Sequence, residues 1–440
     1  MTSRPSREHR AIAIVFVLHG AVAGTLATRI PWIQDRLDLS PTVLGFALLC
    51  PSIGAFGAMP TASRLAHRIG ERRATRLLIA AWCAAVALPA LAPAPAFLFA
   101  AMLLFGAAAG MSDVVMNGHA VSVERHLRRP IMSGLHGLWC VGSLGSGGVG
   151  ALAAHAGVDA RLHLGLVAAV LVAAGAVAGR GLLRVRPSAS APAPRRFALP
   201  TRAVLAIGVV GFCARFAEGA SADWAAVYLT EVAGAGPGSA AASYTIFMSC
   251  MAATRLAGDL LVRRLGPVRT VRYGGVVAVL GGVLVVASRA PWPAIAGFAL
   301  LGIGVATTLP LVFAAAGDAG ATPGEGVAGV ATITYLSGLT APAVTGWTAR
   351  RAVLSGRVRA DHVRGRGDVG DRRRARPARR RPEGPGAGAV RRRRAPVTGA
   401  PGPRARERPG TASVPGPRCA DSAAVRAGRR SRPADPSGPA

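Results

Sequence analysis

The chain has 440 residues, of which 51% are hydrophobic and only 16% are charged, and its mean hydropathy is +0.39. Soluble domains average nearer a quarter of charged residues, so this composition excludes an ordinary soluble protein and favours a membrane protein. The net charge of +32 suggests an anionic partner at first sight. The charge is unevenly spread, however, because residues 349–440 carry 25 arginines and 7 acids, a net +18.

Apolar runs of about 20 residues, the length that a transmembrane helix needs, recur along the chain. We predict eleven spans, at 11–33, 42–60, 75–93, 96–122, 133–155, 163–183, 202–222, 238–262, 270–288, 292–316 and 326–347.

Arginines concentrate in the loops that follow even-numbered spans. Residues 64–76, 125–129, 184–202 and 263–272 carry five, three, five and four arginines, whereas the alternate loops are poorer and carry only Arg36, Arg161 and Arg289. Short cytoplasmic loops are the basic ones in membrane proteins. The pattern therefore predicts a multi-pass protein of the cytoplasmic membrane with its N-terminus inside.

The chain contains an internal repeat with a shift of 196 residues. Without a gap, the shift places Gly70 on Gly266 and Trp139 on Tyr335; it also pairs Leu65 with Leu261, Arg68 with Arg264, Arg73 with Arg269, Gly106 with Gly302, Gly142 with Gly338 and Gly150 with Gly346. One register that links two loops and two helix pairs predicts two related halves. Parallel repeats of six spans with a site at their interface are a known transporter architecture.

The loop SRLAHRIGERRATR (63–76) resembles the signature loop between helices 2 and 3 of the major facilitator superfamily. Arg68, Gly70, Arg72 and Arg73 match that motif, whereas Ser63 and His67 stand where a glycine and an aspartate are usual. The second copy, GDLLVRRLGPVR (258–269), keeps Arg264 and Gly266. Arginines here can pair with acids or helix C-termini of the other half and act as conformational latches. Positive-inside topology alone is the alternative explanation.

The resemblance implies an all-α membrane fold of two six-helix bundles. We expect an N-terminal bundle at 1–183, a linker at 184–201 and helices 7–11 of the second bundle at 202–347. It also implies a monomeric secondary active transporter that works by alternating access.

The predicted fourth helix contains the most informative polar residues of the chain. Gly106, Gly110, Asp113 and Asn117 are spaced 4, 3 and 4 residues apart and so share one helical face. A charge at mid-membrane costs about 2.5–3.5 kcal/mol on insertion scales, so it defaults to a functional hypothesis. Asp113 and Asn117 resemble the acid-x-x-x-Asn of the fucose-permease-like branch, in which the acid is a proton and substrate site. A structural hydrogen bond between helices is the alternative for Asp113.

Other polar or small residues inside the spans are weaker candidates. Arg215 and Glu218 are three residues apart and can either join the substrate site or neutralise each other. His136, like His19, can either shuttle protons or serve as a packing histidine. GSGGVG (145–150) matches G-x-G-x-x-G but lies inside an apolar helix and not after a strand. Gly142 and Gly145, like Gly106 and Gly110 in the fourth helix, therefore predict close helix packing rather than a dinucleotide loop.

The chain shows no nucleophile–base set, no metal-ligand cluster and no Walker loop. We therefore expect no enzyme activity, no cofactor and no metal site. Because an ATP site is also missing, transport would be driven by an ion gradient. The sequence thus predicts a proton-coupled transporter of a small polar solute such as a sugar. The alternative is a non-transporting membrane protein or an inactivated permease.

The basic tail at 348–440 conflicts with the repeat. The 196-residue shift predicts a twelfth helix at 359–379, where the sequence is RADHVRGRGDVGDRRRARPAR. This stretch cannot cross a bilayer, because each buried arginine would cost several kcal/mol. A frame change after about Trp347 in GC-rich DNA is the simplest account. A genuine disordered extension that binds anionic lipid or nucleic acid is the alternative, but without interleaved aromatics we expect no nucleic acid.

Overall fold

Helices make up nearly all of the regular structure in the part of the chain that a computed structural model describes, residues 6–184, 201–320, 324–341 and 344. The fourteen helices are α1 (Arg7–Ala27), α2 (Ile30–Arg36), α3 (Pro41–Ile69), α4 (Glu71–Ala85), α5 (Leu88–Leu91), α6 (Pro95–Leu127), α7 (Met132–His155), α8 (Ala160–Ala178), α9 (Arg202–Glu231), α10 (Pro237–Leu265), α11 (Pro267–Ala287), α12 (Pro291–Val305), α13 (Thr308–Ala319) and α14 (324–341).

Ten segments among these residues are long and apolar enough to cross a membrane, and they coincide with the first ten predicted spans. The eleventh predicted span coincides with α14, up to residue 341. Most of the linker, the position of the predicted twelfth helix and the whole basic tail lie outside the described residues.

Three predicted spans are each interrupted once, next to a proline. The breaks separate α1 from α2, α4 from α5 and α12 from α13, and Pro31, Pro89 and Pro310 lie in the first turn after them. Proline has no amide hydrogen, and its ring clashes with the carbonyl four residues earlier. The prolines thus account for the breaks within otherwise continuous apolar segments.

The helices pack in two sets that correspond to the two halves of the repeat. In the first set α3 packs along α6 and α1 along α7; in the second, α12 packs against α10 and α11. Gly70 and Gly266, which the repeat aligns, have φ values of 87° and 78°. Each joins two consecutive helices in the left-handed region that glycine tolerates best.

Apolar side chains cover the outside of the helices as well as their interior. Leu104, Val170 and Val283 are each more than 60% exposed, whereas Phe16, Met59 and Leu164 are fully buried in the core. A soluble protein rarely exposes apolar patches of this extent. The outer surface is therefore suited to contact lipid.

Close helix contacts explain three of the four glycines predicted to pack. A Cβ at Gly106 would collide with the backbone of Pro51, one at Gly110 with Ala55, and one at Gly142 with the Val17 carbonyl. Gly145 differs, because no described atom lies within 4 Å of the position that its Cβ would take. The prediction of close packing at Gly145 was wrong, since within the described part of the chain that face of α7 meets no neighbouring helix there.

Gly106→Ala and Gly145→Ala should therefore have opposite effects on stability. The first overpacks the contact of α6 with α3 and should lower the free energy of unfolding by roughly 1–3 kcal/mol. The second fills open space and should leave stability unchanged or raise it by up to about 1 kcal/mol, since alanine favours helix. Unfolding of both variants in mixed micelles measures the difference. Equal stabilities would contradict the packing described above.

Candidate functional site

A cavity of about 60 Å³ lies between the two sets of helices. Its polar walls differ in charge: the first set contributes the carboxyl of Asp113, and the second contributes the guanidinium groups of Arg215 and Arg255 with the carboxyl of Glu218. The other lining residues are aromatic, apolar or neutral polar: Phe16, His19, Met116, His136, Trp139, Leu309, Phe313, Thr334 and Tyr335. The cavity therefore brings together four of the five residues predicted for the substrate and proton site.

Asn117 is the fifth predicted residue, and it lies behind Asp113 rather than on the cavity wall. It is fully buried, and its Nδ2 donates to the Asp113 backbone carbonyl at 2.9 Å and to Asp113 Oδ1 at 3.1 Å. Its four-residue spacing from Asp113 allows both bonds within one helix. Asn117 thus orients the Asp113 carboxyl, which also interacts with Tyr335 and Arg215 across the cavity.

Glu218 is shared between two arginines. Arg215 Nη1 donates to Glu218 Oε1 at 2.7 Å, and Arg255 Nη2 donates to Oε2 at 2.9 Å. Arg255 also donates to the Ala306 carbonyl and to Cys140 Sγ, so its guanidinium is satisfied on every nitrogen. Arg215 and Glu218 do neutralise each other, but Arg255 adds a second positive charge.

The two histidines of the cavity have structural partners. His136 lies between the rings of Phe16 and Phe313, with centroid distances of 5.2 and 5.8 Å, and its Nδ1 donates to the Met132 carbonyl. His19 Nδ1 accepts from the Trp139 indole at 3.0 Å. Because an indole N–H only donates, this nitrogen of His19 carries no proton and the ring is neutral.

The repeat brings equivalent positions to opposite cavity walls with different chemistry. The 196-residue shift relates His19 to Arg215, Asp113 to Leu309 and Trp139 to Tyr335, and all six line the cavity. The duplicated fold therefore supplies the positions, and divergence in sequence supplies the asymmetry of charge.

The predicted latch loops occupy one end of the molecule, here called the basic end, which holds Arg68, Arg73 and Arg264 as exposed side chains. Arg72 donates to the carbonyls of Gly179 and Arg180 just after α8. It thus binds a helix C-terminus, as predicted, but in its own half rather than in the other one. Among the described residues, no hydrogen bond or ion pair joins Arg68, Arg72, Arg73 or Arg264 to the other half; the contact between the halves in this region comes from Asp259, within the second loop copy.

Other residues join the halves at the basic end. Asp259 of α10 accepts hydrogen bonds at 3.0 Å from the backbone N–H groups of Ser133 and Gly134, in the first turn of α7. Arg125 forms an ion pair with Asp318. The first N–H groups of a helix have no partner within it and favour a negative charge. Asp259 therefore bridges the halves through the N-terminus of α7.

The sequence profile of the Major Facilitator Superfamily matches residues 12–342. The chain belongs to this superfamily. It is 32% identical to an uncharacterised transporter of Sinorhizobium fredii over 351 residues, which cover 78% of this chain and 92% of that protein. It is 34% identical to an uncharacterised MFS-type transporter of Yersinia pestis over 344 residues, covering 78% and 89%.

Solved structures agree on the fold. FucP, a superfamily transporter in its outward conformation, superposes with a TM-score of 0.64 at 14% identity, covering 78% of this chain and 92% of FucP. The superfamily fold explains the repeat, because this architecture duplicates a bundle of helices. The prediction of an all-α membrane protein with the superfamily fold is confirmed.

The sequence predictions missed Arg255 and Asp259. Both lie within the predicted span 238–262, where an ionisable residue is a functional hypothesis by default. Both residues are close in sequence to Arg263 and Arg264. Together these four charged residues resemble the polar end of a span, so Arg255 and Asp259 were not recognised as lying inside it. The three-residue spacing of Arg215 and Glu218 suggested a closed pair, which gave no reason to seek a third partner.

The two arginines that share Glu218 should differ in their effect on stability. Arg255→Leu removes a buried charge and leaves the Ala306 carbonyl without its donor, so we expect the free energy of unfolding to fall by about 3 kcal/mol. Arg215 has 41% of its side chain exposed, and Arg215→Leu leaves Glu218 paired, so we expect a loss of about 1 kcal/mol. Detergent unfolding of both variants tests the order, and a larger loss for Arg215→Leu would contradict it.

Proposed function

We propose that this protein is a secondary active transporter that moves a small polar solute together with protons by alternating access. The observation that carries the proposal is the cavity between the helix sets, with Asp113 on one wall and Arg215, Arg255 and Glu218 on the other. The names of the Sinorhizobium and Yersinia relatives support transport. A second FucP structure is described as that of the E. coli fucose:proton symporter, which favours proton coupling and a sugar-like solute here.

In this mechanism the two helix sets rock about the cavity. Residues 1–183 and 202–347 are the moving bundles, and residues 184–201 connect them. The basic end faces the cytoplasm, as the positive-inside rule requires, and the protein works as a monomer in the cytoplasmic membrane. A rocking motion changes the distance between Asp113 and Arg215, because they belong to different sets. Asp113 is then the group best placed to exchange a proton as the solute binds and leaves.

Asp113→Asn should abolish solute-driven proton entry while the protein still folds. Asparagine keeps the shape and the hydrogen bond to Asn117 but cannot take up a proton. The solute is unidentified, so the assay uses proteoliposomes that contain the pH dye pyranine, to which a mixture of sugars, polyols and small organic acids is added. The wild type should acidify the lumen, and the variant should not.

Asp35→Asn provides a matched control, because Asp35 is exposed on α2 and does not line the cavity. This variant should behave as the wild type. Solute-dependent acidification that survives in Asp113→Asn would exclude Asp113 as the coupling group. No acidification by the wild type with any solute class would overturn proton-coupled transport itself.

We further propose that Asp259 is the latch that holds the basic end closed. Its carboxylate binds the N-terminus of α7 from the opposite helix set, an interaction worth up to about 2 kcal/mol in a partly buried geometry. A latch of this size can be released when solute binding favours another state. The Arg125–Asp318 ion pair supports the same closure at the surface.

Asp259→Asn should open the basic end more often, since the neutral amide loses the charge and one acceptor. We expect faster hydrogen–deuterium exchange in the first turn of α7 and in the last turn of α10. Glu124→Gln is the matched control, because Glu124 caps Ile131 and Met132 from within the first set. It should speed exchange in α7 alone. Unchanged exchange in α10 of Asp259→Asn would show that Asp259 is not a latch.

A further inference from the structure

We propose that the transported solute is a small organic acid, that its carboxylate binds Arg215, and that it occupies the cavity together with the proton carried by Asp113. The proposal rests on the proposed function and names the class of substrate for the same cavity. It follows from the hydrogen-bond capacity and the charge of the cavity walls.

Arg215 has donors that the described part of the protein does not use. A guanidinium carries five N–H groups, and only Nη1 of Arg215 forms a hydrogen bond, to Glu218. Its side chain is 41% exposed, whereas that of Arg255 is 3% exposed. Each guanidinium nitrogen of Arg255 donates a hydrogen bond, to Glu218, Ala306 or Cys140. Arg215 is therefore the arginine that is available to a ligand.

When Asp113 is protonated, the charges of the cavity residues can be balanced by one anion. Arg215 and Arg255 contribute two positive charges and Glu218 contributes one negative charge. Ionised Asp113 brings the sum to zero, and protonated Asp113 leaves it at +1. A cation without a counter-charge is costly in a medium of low dielectric constant. The protonated cavity therefore favours a ligand with one negative charge.

The other titratable groups around the cavity do not change this sum. His19 is neutral because its Nδ1 accepts the Trp139 indole N–H. His136 is held between two phenyl rings and beside two arginines, a setting that opposes a further positive charge. Tyr335, like Tyr244 on α10, is a neutral phenol in its ordinary state.

Two further groups complete the surroundings of Arg215. Cys140 Sγ accepts a hydrogen bond from Arg255 Nη1. Asp223 is on α9, eight residues beyond Arg215, which is about 12 Å along a helix. It interacts with Arg215 but does not line the cavity, so it affects the field without occupying the binding position.

A carboxylate fits this position better than a neutral solute or a phosphate. The planar fork of a guanidinium matches a carboxylate with two parallel hydrogen bonds. A neutral sugar would leave the extra positive charge uncompensated, and a dianionic phosphate would exceed it. The hydroxyls of a sugar acid could still bond to Thr334 and Tyr335, which also line the cavity.

The same charges couple the acid to the proton. Protonation of Asp113 removes the negative charge that competes for Arg215, so it favours binding of the anion. By linkage, the bound anion favours protonation of Asp113 to the same extent. One carboxylate and one proton then cross together, and the loaded cavity carries the same net charge as the empty one with Asp113 ionised.

The test compares glucuronate with glucose, which has the same ring without the carboxylate. Binding to the full chain in lipid nanodiscs is followed by calorimetry at about pH 5.5 and about pH 8, where glucuronate is ionised. The wild type should bind glucuronate at least tenfold more tightly than glucose, and more tightly at the lower pH. Arg215→Gln should weaken glucuronate binding roughly tenfold or more, because it removes a charge-assisted hydrogen-bond pair.

Three further variants separate a binding role from a structural one. Arg289 is an exposed arginine outside the cavity, so Arg289→Gln should bind glucuronate as tightly as the wild type. Arg215→Lys keeps the positive charge but loses the planar guanidinium. Its affinity for glucuronate should lie between those of the wild type and Arg215→Gln. Asp113→Asn should bind glucuronate equally at both pH values. In Arg215→Gln, Arg255 still pairs with Glu218. The variant therefore has no unpaired buried carboxylate at this site, and we expect it to fold.

The inference is overturned if the wild type does not bind glucuronate, if glucose binds equally well, or if Arg215→Gln binds glucuronate unchanged. The pyranine assay distinguishes failure of the organic-acid proposal from failure of the proposed transport function. Proton entry driven by neutral sugars or polyols, and lost in Asp113→Asn, would leave transport standing with a different substrate class. Absence of proton entry with every solute would remove the transport function as well.

Discussion

Glu218 holds together the charged centre of this protein. One buried carboxylate accepts from two arginines on two different helices, α9 and α10, inside a bundle whose other walls are mostly aromatic or apolar. In such surroundings each charge must be compensated nearby, because bulk water cannot do so. The positions of Arg215 and Arg255, and the charge that Asp113 must balance from the opposite wall, all follow from this constraint.

Contacts within the helix sets differ in kind from the contacts between them. Within each helix set, glycines bring backbones into contact, as Gly106 does with Pro51 and Gly142 with Val17, so each set can move as a unit. Between the sets, the described polar contacts are fewer and several use single charges at the basic end, such as Asp259 on the first turn of α7. Contacts of that kind are worth about 1–2 kcal/mol, which is within the range that a ligand can supply.

The internal repeat gives the two halves the same backbone but not the same chemistry. Gly70 and Gly266 adopt the same unusual conformation between consecutive helices, because both copies need the same tight junction. In the cavity the equivalence holds only for position: His19 corresponds to Arg215, and Asp113 to Leu309. Asp113 thus lies on one wall and the two arginines, with Glu218 between them, lie on the other, and alternating access would move these walls apart.

The sequence by itself determined the spans, the repeat and the family, because these depend on hydropathy and on motifs that are local in the chain. It also identified Asp113, since a carboxylate inside an apolar run is conspicuous without any knowledge of its neighbours. Partnership was decided only by the tertiary structure. Arg255 lies 37 residues from Glu218 and Asp259 lies 126 residues from Ser133, so no local spacing indicates either contact. Gly145 shows the same limit of sequence analysis. A glycine that packs against another helix and one that does not have the same sequence context, and only the position of the neighbouring helix distinguishes them.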